Sequence, residues 1–510
     1  MHIERMGIIW PWSWEINIVA IVLIYVIRKL VSKRKEKKNL PPGPRGIPIL
    51  GHFHLMGKLP HRDFHRLAQT HGPIMLLRFG FSPTVVVSSP AAAEQFLKTH
   101  DLVFASRPKE EAPKRMAFGQ KNLSSSPYGP YWRTMRKFCT LHLLSNLKIA
   151  SFSQLRKEEL SILIEEVKNV AAKGGELSFD LSSRVSTMST AVSCRMVFGK
   201  KYGDDDFDKR GFKYVIQEMM ELVITPNLAN YFPYIGVFDL QGLTRRMKVV
   251  GKVLDSFFER VIEEHVMVDS GHEGKDFLTI LLSFMDSHED NVEFGIGRDH
   301  VKATMLDMLA ASMDTTATTI DWVLSELIKN PTIMKKVQEE IEQVVSMERT
   351  VEESDLEKLT YLNMVIKETL RLHPTVPLLL PHESMEDCTI EGFHIPRNSR
   401  VFINVWAIGR DKGSWTDPEM FVPERFEGTN VDLRGRDFEL IPFGSGRRGC
   451  PGIQLGLVLV QFVVAQLVHC FNWKLPGGIS PEELDMTEVL GIVSARAKHL
   501  VAIPTYRLHI

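Results

Sequence analysis

The residues with the most distinctive chemistry surround Cys450, in the run Phe443-Gly-Ser-Gly-Arg-Arg-Gly-Cys450-Pro-Gly452. A cysteine binds a metal as its thiolate, which a helix N-terminus and nearby positive charge stabilise. The apolar residues 453–468 predict a buried helix directly after Cys450, and the glycines permit tight turns and close backbone approach to a flat ligand. Arg448 adds a guanidinium that can bind carboxylates. The run therefore predicts a thiolate site for a flat, carboxylate-bearing ligand.

The same run also contains Gly444-Ser-Gly446-Arg-Arg-Gly449, which fits the G-x-G-x-x-G pattern of dinucleotide-binding folds. That fold needs a buried strand before the glycines and an acidic residue about twenty positions after them. No Asp or Glu occurs between Glu439 and Glu482. The sequence excludes a dinucleotide site here.

A second group of polar residues lies inside a long apolar segment, residues 298–330, which ends at Pro331. As one helix this segment would be about 50 Å long, enough to cross the whole molecule. It contains Ala311-Ser-Met-Asp314-Thr315-Thr316. Threonine hydroxyls compete with helical hydrogen bonds and bend helices. The segment predicts either a reactive site on a crossing helix or an incidental polar patch.

Two further pairs have helical spacing. Glu368 and Arg371 are three residues apart, and Trp132 and Arg136 are four apart, so each pair shares one helix face. A surface ion pair is the ordinary explanation for Glu368 and Arg371.

The amino-acid composition argues against two classes of protein. The 62 basic and 62 acidic residues balance, which argues against a nucleic-acid-binding protein. The five cysteines are widely spaced, without zinc-type spacing, so a disulfide scaffold is excluded and a reducing compartment is indicated. We expect a β-hairpin within residues 73–89 and surface loops at residues 203–209, 271–275 and 286–291.

The first forty residues differ in composition from the rest of the chain. Residues 8–27 are mostly apolar and about as long as a membrane-spanning helix. Residues 28–38 hold seven Lys or Arg against one Glu, so the positive-inside rule places the following chain in the cytosol. We predict a membrane anchor (residues 1–27), a basic and proline-rich hinge acting as a stiff spacer (28–48) and one catalytic domain (49–510). A cleavable signal peptide is the alternative.

Residues 443–452 resemble the haem-binding signature of cytochromes P450, Phe-x-x-Gly-x-Arg-x-Cys-x-Gly, at every fixed position. The segment around Asp314, the Glu-x-x-Arg pair and Pro-Glu-Arg-Phe resemble other motifs of that family, and the resemblance covers about residues 40–506. It implies a mainly α fold with a smaller β portion, preceded by one transmembrane helix. It also implies that Cys450 is the axial iron ligand of haem b, iron protoporphyrin IX. A buried structural cysteine is the alternative.

The resemblance further implies roles for individual residues. Thr315 would hydrogen-bond bound dioxygen, and Asp314 would help relay protons. The implied cofactor contacts are Trp132, Arg136, His382, Phe443, Arg448, Cys450 and Gly452. The implied substrate pocket comprises Leu123, Leu309, Met313, Val376, Leu379 and Ile492. Glu368, Arg371 and Arg425 would form a buried structural triad. Two positions depart from the pattern: Ser312 replaces the usual glycine, and His382 stands where relatives often carry arginine.

These resemblances imply a monooxygenase of the endoplasmic reticulum membrane. Electron donation from the thiolate favours O–O cleavage, after which one oxygen atom enters the substrate and the other leaves as water. The sequence offers no flavin or nicotinamide site, so NADPH would act through a separate NADPH–cytochrome P450 reductase. Arg133, Lys137 and Arg447 are candidates for its docking surface.

The motifs are most like those of plant A-type P450s, which implies a small lipophilic plant metabolite as substrate. The apolar pocket favours an aromatic or phenolic compound, with a terpenoid or alkaloid as the alternative. Two other functions stay open. One is a reductase-independent isomerase or dehydratase, against which Asp314 and Thr315 count. The other is a catalytically silent haem-binding membrane protein, against which the complete motif set counts.

Overall fold

The computed structural model describes residue 23 and residues 39–202, 211–268, 276–286 and 295–509. Its α-helices are α1 Pro60–His71, α2 Pro90–Glu94, α3 Glu111–Met116, α4 Pro130–Phe138, α5 Asn146–Ser151, α6 Ser153–Ala172, α7 Leu181–Phe198, α8 Phe212–Ile224, α9 Leu228–Tyr231, α10 Leu243–Val268, α11 Phe277–Asp286, α12 Arg298–Lys329, α13 Pro331–Val345, α14 Thr360–Leu372, α15 Val405–Ile408 and α16 Ile453–Cys470. Its strands are β1 Ile74–Phe79, β2 Ser82–Val87, β3 Phe179–Asp180, β4 His382–Glu383, β5 Cys388–Ile390, β6 Phe393–Ile395, β7 Arg400–Ile403, β8 Phe471–Lys474, β9 Glu488–Leu490, β10 Ser494–Arg496 and β11 Val501–Tyr506. The prediction of a mainly α fold with a smaller β portion is confirmed.

Several predicted segments lie outside the described residues. They are the membrane anchor apart from residue 23, the basic residues 28–38, and the surface loops at 203–209, 271–275 and 287–291.

The largest sheet has the strand order β1-β2-β7-β4. β1 and β2 form an antiparallel hairpin with Ile74 opposite Val87, which confirms the hairpin predicted within residues 73–89. β2 pairs in parallel with β7, and β7 pairs antiparallel with β4. Val85 and Val87 on β2 are fully buried, so other parts of the protein cover this sheet. The edge strand β4 begins at His382, which fixes the position of this predicted site residue.

Helix α12 is the longest helix of the described chain. It spans Arg298–Lys329, 32 residues, and confirms the long helix predicted over residues 298–330. Pro331 starts α13 because proline suits the first turn of a helix but not its interior. Helices α7 and α16 both pack against α12. Ile320 and Val323 in this contact region are fully buried, so α12 forms the axis of the hydrophobic core.

Helix α16 follows Cys450 and was predicted as a buried helix. Among the described residues it alone is long and apolar enough to cross a membrane, with a mean hydropathy of 1.9, but 61% of it is buried inside the protein. Val463, Val464 and Leu467 have no exposed surface. It is the core helix that holds the Cys450 loop in place.

The proline-rich segment begins within the folded body. The Leu76 amide donates to the Pro42 carbonyl at 2.9 Å, and the His394 amide donates to the Asn39 carbonyl at 2.6 Å. A Cβ atom added at Gly43 would lie 2.2 Å from the Leu76 carbonyl oxygen, so glycine permits this close approach. The end of the predicted hinge, residues 39–43, therefore contacts β1 and β6 of the folded body.

Candidate functional site

The loop that carries Cys450 depends on glycine. Gly446 has a φ of 66°, in the left-handed region that favours glycine. A Cβ atom there would lie 2.2 Å from the Leu97 carbonyl oxygen, so no other residue allows this packing. The Cys450 amide donates to the Phe443 carbonyl at 2.9 Å and closes the loop. Helix α16 begins at Ile453, so Cys450 lies just before its first turn.

The thiol of Cys450 lies deep in the protein, yet the residue is accessible to solvent. A deep residue that solvent reaches must face an internal space. Burial raises the pKa of the Cys450 thiol, whereas the Gly452 amide and the Arg136 charge lower it without offsetting burial. The amide at the start of α16 thus favours the thiolate, in the direction that the sequence predicted, but its effect is smaller than that of burial. A coordinated metal ion would outweigh burial, because it deprotonates a bound thiol outright.

Two of the predicted cofactor contacts lie at this loop: Arg448 is part of it, and Arg136 contacts it from α4. Arg136, on α4, donates to the Gly449 carbonyl at 2.6 Å. Arg448 donates to two backbone carbonyls at 2.6 Å each, and its guanidinium lies 4.0 Å from the centre of the Trp132 ring. The Trp132 indole donates to the Leu123 carbonyl at 3.0 Å. The i, i+4 spacing on α4 thus brings Trp132 and Arg136 to the Cys450 loop together.

A third guanidinium, that of Arg107, was missed by the sequence reasoning. Arg107 is 6% exposed and donates to the Leu380 and Pro381 carbonyls at 2.7 and 2.9 Å. Burial, and then the charge of Arg136, lower the pKa of Arg107 to about 9. Burial, and then Arg107 and Arg136, lower the pKa of Arg448 to about 8. Arg107 lies in an irregular segment, so no helical or strand spacing marked it.

Arg107, Arg136 and Arg448 form what we call the arginine cluster. Within the part of the chain that the structure describes, none of the three makes an ion pair with a carboxylate. Guanidinium groups that are desolvated and repel one another stabilise an anion placed among them. The arginine cluster therefore fits a ligand that brings its own carboxylate groups to the Cys450 loop.

His382 lies next to the arginine cluster and is 5% exposed. Its Nδ1 is 2.8 Å from the Phe104 carbonyl oxygen, so Nδ1 carries the proton and donates it. Burial, followed by the charge of Arg107, lowers the pKa of His382 to about 3. The imidazole is therefore neutral at physiological pH. The single proton of the neutral ring is already donated to Phe104, which leaves Nε2 as an acceptor, so in this state His382 offers an anion neither a hydrogen bond nor the positive charge that an arginine would supply.

One face of α12 is accessible to solvent. Ala311 is exposed, and Met308 and Thr315 are half-buried, at spacings that place them on one helix face. The structure does not place Leu309 and Met313 on that face. These two predicted pocket residues are only 0% and 3% exposed and pack in the core. The signal for Ala311 was available in the sequence, because it precedes Thr315 by one helical turn.

Thr315 and Asp314 lie near the middle of α12, and both are half-buried. The Thr315 hydroxyl donates to the Ala311 carbonyl, and the Thr319 hydroxyl donates to the Thr315 carbonyl at 2.8 Å. Such bonds to the preceding turn satisfy hydroxyls inside a helix. Thr315 can donate to another group only when its O–H turns away from the Ala311 carbonyl.

Ser312 joins α12 to α7. Its Oγ lies 2.7 Å from Ser193 Oγ and 2.6 Å from the Met308 carbonyl oxygen. Ser189, one turn before Ser193, donates to the Met313 carbonyl at 2.9 Å. Ser312 stands where the family pattern has glycine, and its hydroxyl connects α12 with α7.

Asp307, near the middle of α12, anchors the loop before α4. One carboxylate oxygen accepts from Asn122 Nδ2 at 2.9 Å and Ser124 Oγ at 2.8 Å, and the other accepts from the Ser124 amide at 2.8 Å. Burial raises the pKa of Asp307, although these hydrogen bonds oppose the rise. The loop includes Leu123, a predicted pocket residue that is 8% exposed. An acidic residue two turns before Thr315 was a signal that the sequence reasoning did not use.

The other predicted pocket residues come from two segments that meet α12. They are Val376, Leu379 and Ile492, all half-buried. The Ser494 amide donates to the Thr375 carbonyl at 2.8 Å, and the Thr375 and Thr319 hydroxyls are 2.9 Å apart. These bonds bring the residues next to Val376 and Ile492 to the same turn of α12.

Glu368, Arg371 and Arg425 form a connected ion-pair network. Glu368 accepts from Arg371 at 2.7 and 2.8 Å and from Arg425 at 3.0 Å. The side chains of Glu368 and Arg371 have no exposed surface, and that of Arg425 is 10% exposed. Arg371 also donates to the Gly409, Pro418 and Met420 carbonyls. The network ties α14 to the segment 409–425.

Comparisons with known proteins identify the family of the chain. The family model for cytochrome P450 matches residues 41–501. The chain is 50% identical to cytochrome P450 CYP736A12 of Panax ginseng, over 95% of this chain and 97% of the relative. It is 43% identical to cytochrome P450 71A1 of Persea americana, over 93% and 95%, and 41% identical to flavonoid 3'-monooxygenase of Arabidopsis thaliana, over 96% of each. The chain belongs to the cytochrome P450 family and is an oxidoreductase of the P450 monooxygenase type.

Proposed function

We propose that this P450 binds haem b between Cys450 and the accessible face of α12. The family implies a haem, and the donor set fits one: an accessible cysteine, the arginine cluster and the small side chain of Ala311. Cys450 would ligate the iron. The propionates would be held by the arginine cluster with Trp132, and His382 would join them only with a second proton on Nε2, while Phe443 and Gly452 flank the thiolate.

The haem, when bound, supplies the iron at which dioxygen is activated. The overall reaction uses one dioxygen, two electrons from NADPH and two protons; one oxygen atom enters a C–H bond and the other leaves as water. Thr315 contributes a hydroxyl on the accessible face, which rotation from Ala311 frees to donate. Asp314, next in the chain, supplies a carboxylate that can pass protons to it.

The substrate we propose is a small aromatic or phenolic plant metabolite. The residues that carry this proposal are mostly apolar: Leu123, Met308, Ala311, Val376, Leu379 and Ile492. A flat, lipophilic compound with few polar groups suits such a lining. The similarity to a flavonoid 3'-monooxygenase supports the same class of substrate.

We propose that the enzyme works at the cytosolic face of the endoplasmic reticulum. Residues 1–27 would anchor it, residues 28–48 would form the hinge, and residues 49–510 the catalytic domain. An exposed set of side chains, which we call the apolar patch, supports contact with a bilayer. It consists of Phe81, Tyr234, Val237, Phe238 and Leu240, exposed by 60%, 83%, 82%, 70% and 71%.

NADPH–cytochrome P450 reductase is the electron donor we propose. Arg133 and Lys137 are exposed on α4, the helix that also carries Arg136 to the Cys450 loop. Their positive charge would attract an acidic partner surface to this side of the molecule. Arg447 contributes less free charge, because it pairs with Asp101 at 3.3 Å.

The test uses membranes that contain this protein and a plant reductase. They receive NADPH, isotope-labelled dioxygen and a panel of phenolics, terpenoids and alkaloids, and products are analysed by mass spectrometry. We expect an NADPH-dependent product carrying one labelled oxygen atom, from a phenolic first. Turnover of a peroxide without reductase, with no labelled product from any panel member, would favour an isomerase or dehydratase instead.

A matched pair of variants tests the role of Thr315. Thr315→Ala should release more hydrogen peroxide per NADPH consumed, because the donating hydroxyl is lost. Thr187→Ala is the control: Thr187 also donates to its own helix, at 3.0 Å to the Ser183 carbonyl, but it is exposed on α7. Equal peroxide yields from the two variants would contradict the proposed role.

A further inference from the structure

A surface groove lies on the side of the protein where α3 meets the first half of α10. It encloses about 470 Å³ and is lined by Lys114, Arg115, Met116, Phe118, Gly119, Arg245, Lys248, Val249, Gly251, Lys252, Asp255 and Asp299. A Cβ atom at Gly251 would lie 2.3 Å from the Arg115 carbonyl oxygen. Glycine there lets the two helices pack closely, so the groove is a fixed feature of the fold. We call it the basic groove.

Five cations and two carboxylates line the basic groove. Both carboxylates already have partners: Asp255 binds Lys302 at 2.6 Å, and Asp299 binds Lys121 at 2.8 Å. On α3, Lys114 and Arg115 share Glu111 at 3.3 and 3.0 Å.

The three cations on α10 are not paired as Lys114 and Arg115 are. Arg245, Lys248 and Lys252 are exposed and make no ion pair with any residue that the structure describes. Their spacing of three and four residues puts them on one face of α10. The groove wall therefore presents three positive charges without an ion-pair partner in the described chain, although the Asp239 carboxylate before α10 also attracts Lys248.

The apolar patch adjoins the basic groove along the chain. Tyr234, Val237, Phe238 and Leu240 directly precede α10, whose first residue is Leu243. Asp239 connects the two regions, because its carboxylate accepts from the Thr244 and Arg245 amides at 2.9 Å each. Apolar side chains beside a row of cations suit an anionic lipid surface, because the apolar side chains can contact the acyl chains and the cations can contact the headgroups.

We propose that the basic groove binds the phosphate headgroup of an anionic phospholipid, with the acyl chains along the apolar patch. Arg245 offers a bidentate fork to phosphate oxygens, and Lys248 and Lys252 add point charges further along α10. The inference rests on the membrane location proposed above. It adds a specific lipid class and the residues that select it.

The test uses the full chain reconstituted into phosphatidylcholine vesicles that contain a small fraction of photoactivatable phosphatidic acid. After illumination, mass spectrometry measures lipid cross-links along α10. We expect cross-links near residues 245–252, weakened about fivefold for each neutralised cation, because one basic residue near an anionic membrane contributes about that factor. The variants are Lys248→Gln and Lys252→Gln. The control is Lys335→Gln, a side chain 76% exposed on α13.

Each outcome decides the proposal. Equal labelling of residues 245–252 by a photoactivatable phosphatidylcholine would overturn it. Loss of labelling when millimolar inorganic phosphate is added would assign the groove to free phosphate rather than to lipid. A protein that does not associate with vesicles at all would refute the membrane location itself, whereas association without anionic preference would refute only the basic groove.

Discussion

Replacing Glu368 with glutamine should destabilise the protein far more than breaking a comparable pair on the surface. The variant removes the charge that offsets Arg371 and Arg425, and Arg371 has no exposed surface. Breaking a buried pair by removing one partner costs about 3–5 kcal/mol, because the remaining charge stays desolvated. At 25 °C that is a change of roughly 150- to 5,000-fold in the unfolding equilibrium.

The matched control is the pair Asp63 and Arg66 on α1. It has the same three-residue spacing and a 2.7 Å contact, but Arg66 is 73% exposed. Arg66→Ala should cost less than about 1 kcal/mol, since exposed pairs contribute little. The assay is urea unfolding of the purified holoprotein, followed by haem absorbance and far-UV circular dichroism. If Glu368→Gln shifts the midpoint no more than Arg66→Ala, the buried network does not stabilise the fold as we argue.

Three further results are expected. Arg448→Gln should speed haem transfer to an acceptor apoprotein by about 10- to 150-fold, because one charge-assisted hydrogen bond is worth roughly 1.5–3 kcal/mol; Arg184→Gln, on the surface of α7, should not. Ser312→Ala should lower stability by about 1 kcal/mol, and a double-mutant cycle with Ser193→Ala should show coupling; additive losses would contradict the contact between them. Burial raises the pKa of Glu488, but hydrogen bonds from His61 and Ser494 outweigh burial and lower that pKa to about 2. The stability Glu488 adds is therefore present above about pH 4.5 and is lost as pH falls towards 2, so Glu488→Gln should flatten the acid limb of a stability–pH profile.

Local patterns predicted the elements of the site well. The apolar run after Cys450 and the long segment ended by Pro331 both became helices near their expected bounds, because continuous apolar length and proline are strong signals. The Trp132 and Arg136 spacing indicated a shared helix face, and α4 presents both to the Cys450 loop.

What the sequence missed depends on contacts between distant segments. Arg107 joins the arginine cluster through bonds to Leu380 and Pro381, more than 270 residues away, and no local periodicity indicates this. The orientation of α12 decided that Ala311, rather than Leu309, lies on the accessible face. A helix rotation of that kind is set by packing against α7 and α16, which one sequence does not reveal.

The most direct test of the account is the absorption spectrum of the reduced, carbon-monoxide-bound protein and its cysteine variants. We expect the wild type to show the red-shifted Soret band of thiolate-ligated haem and Cys450→Ser to lose it. Cys139→Ser and Cys470→Ser, which alter buried cysteines elsewhere in the core, should keep it. A Cys450→Ser variant with an unchanged band, or loss of the band in one of the control variants alone, would contradict the assignment of Cys450 as the iron ligand.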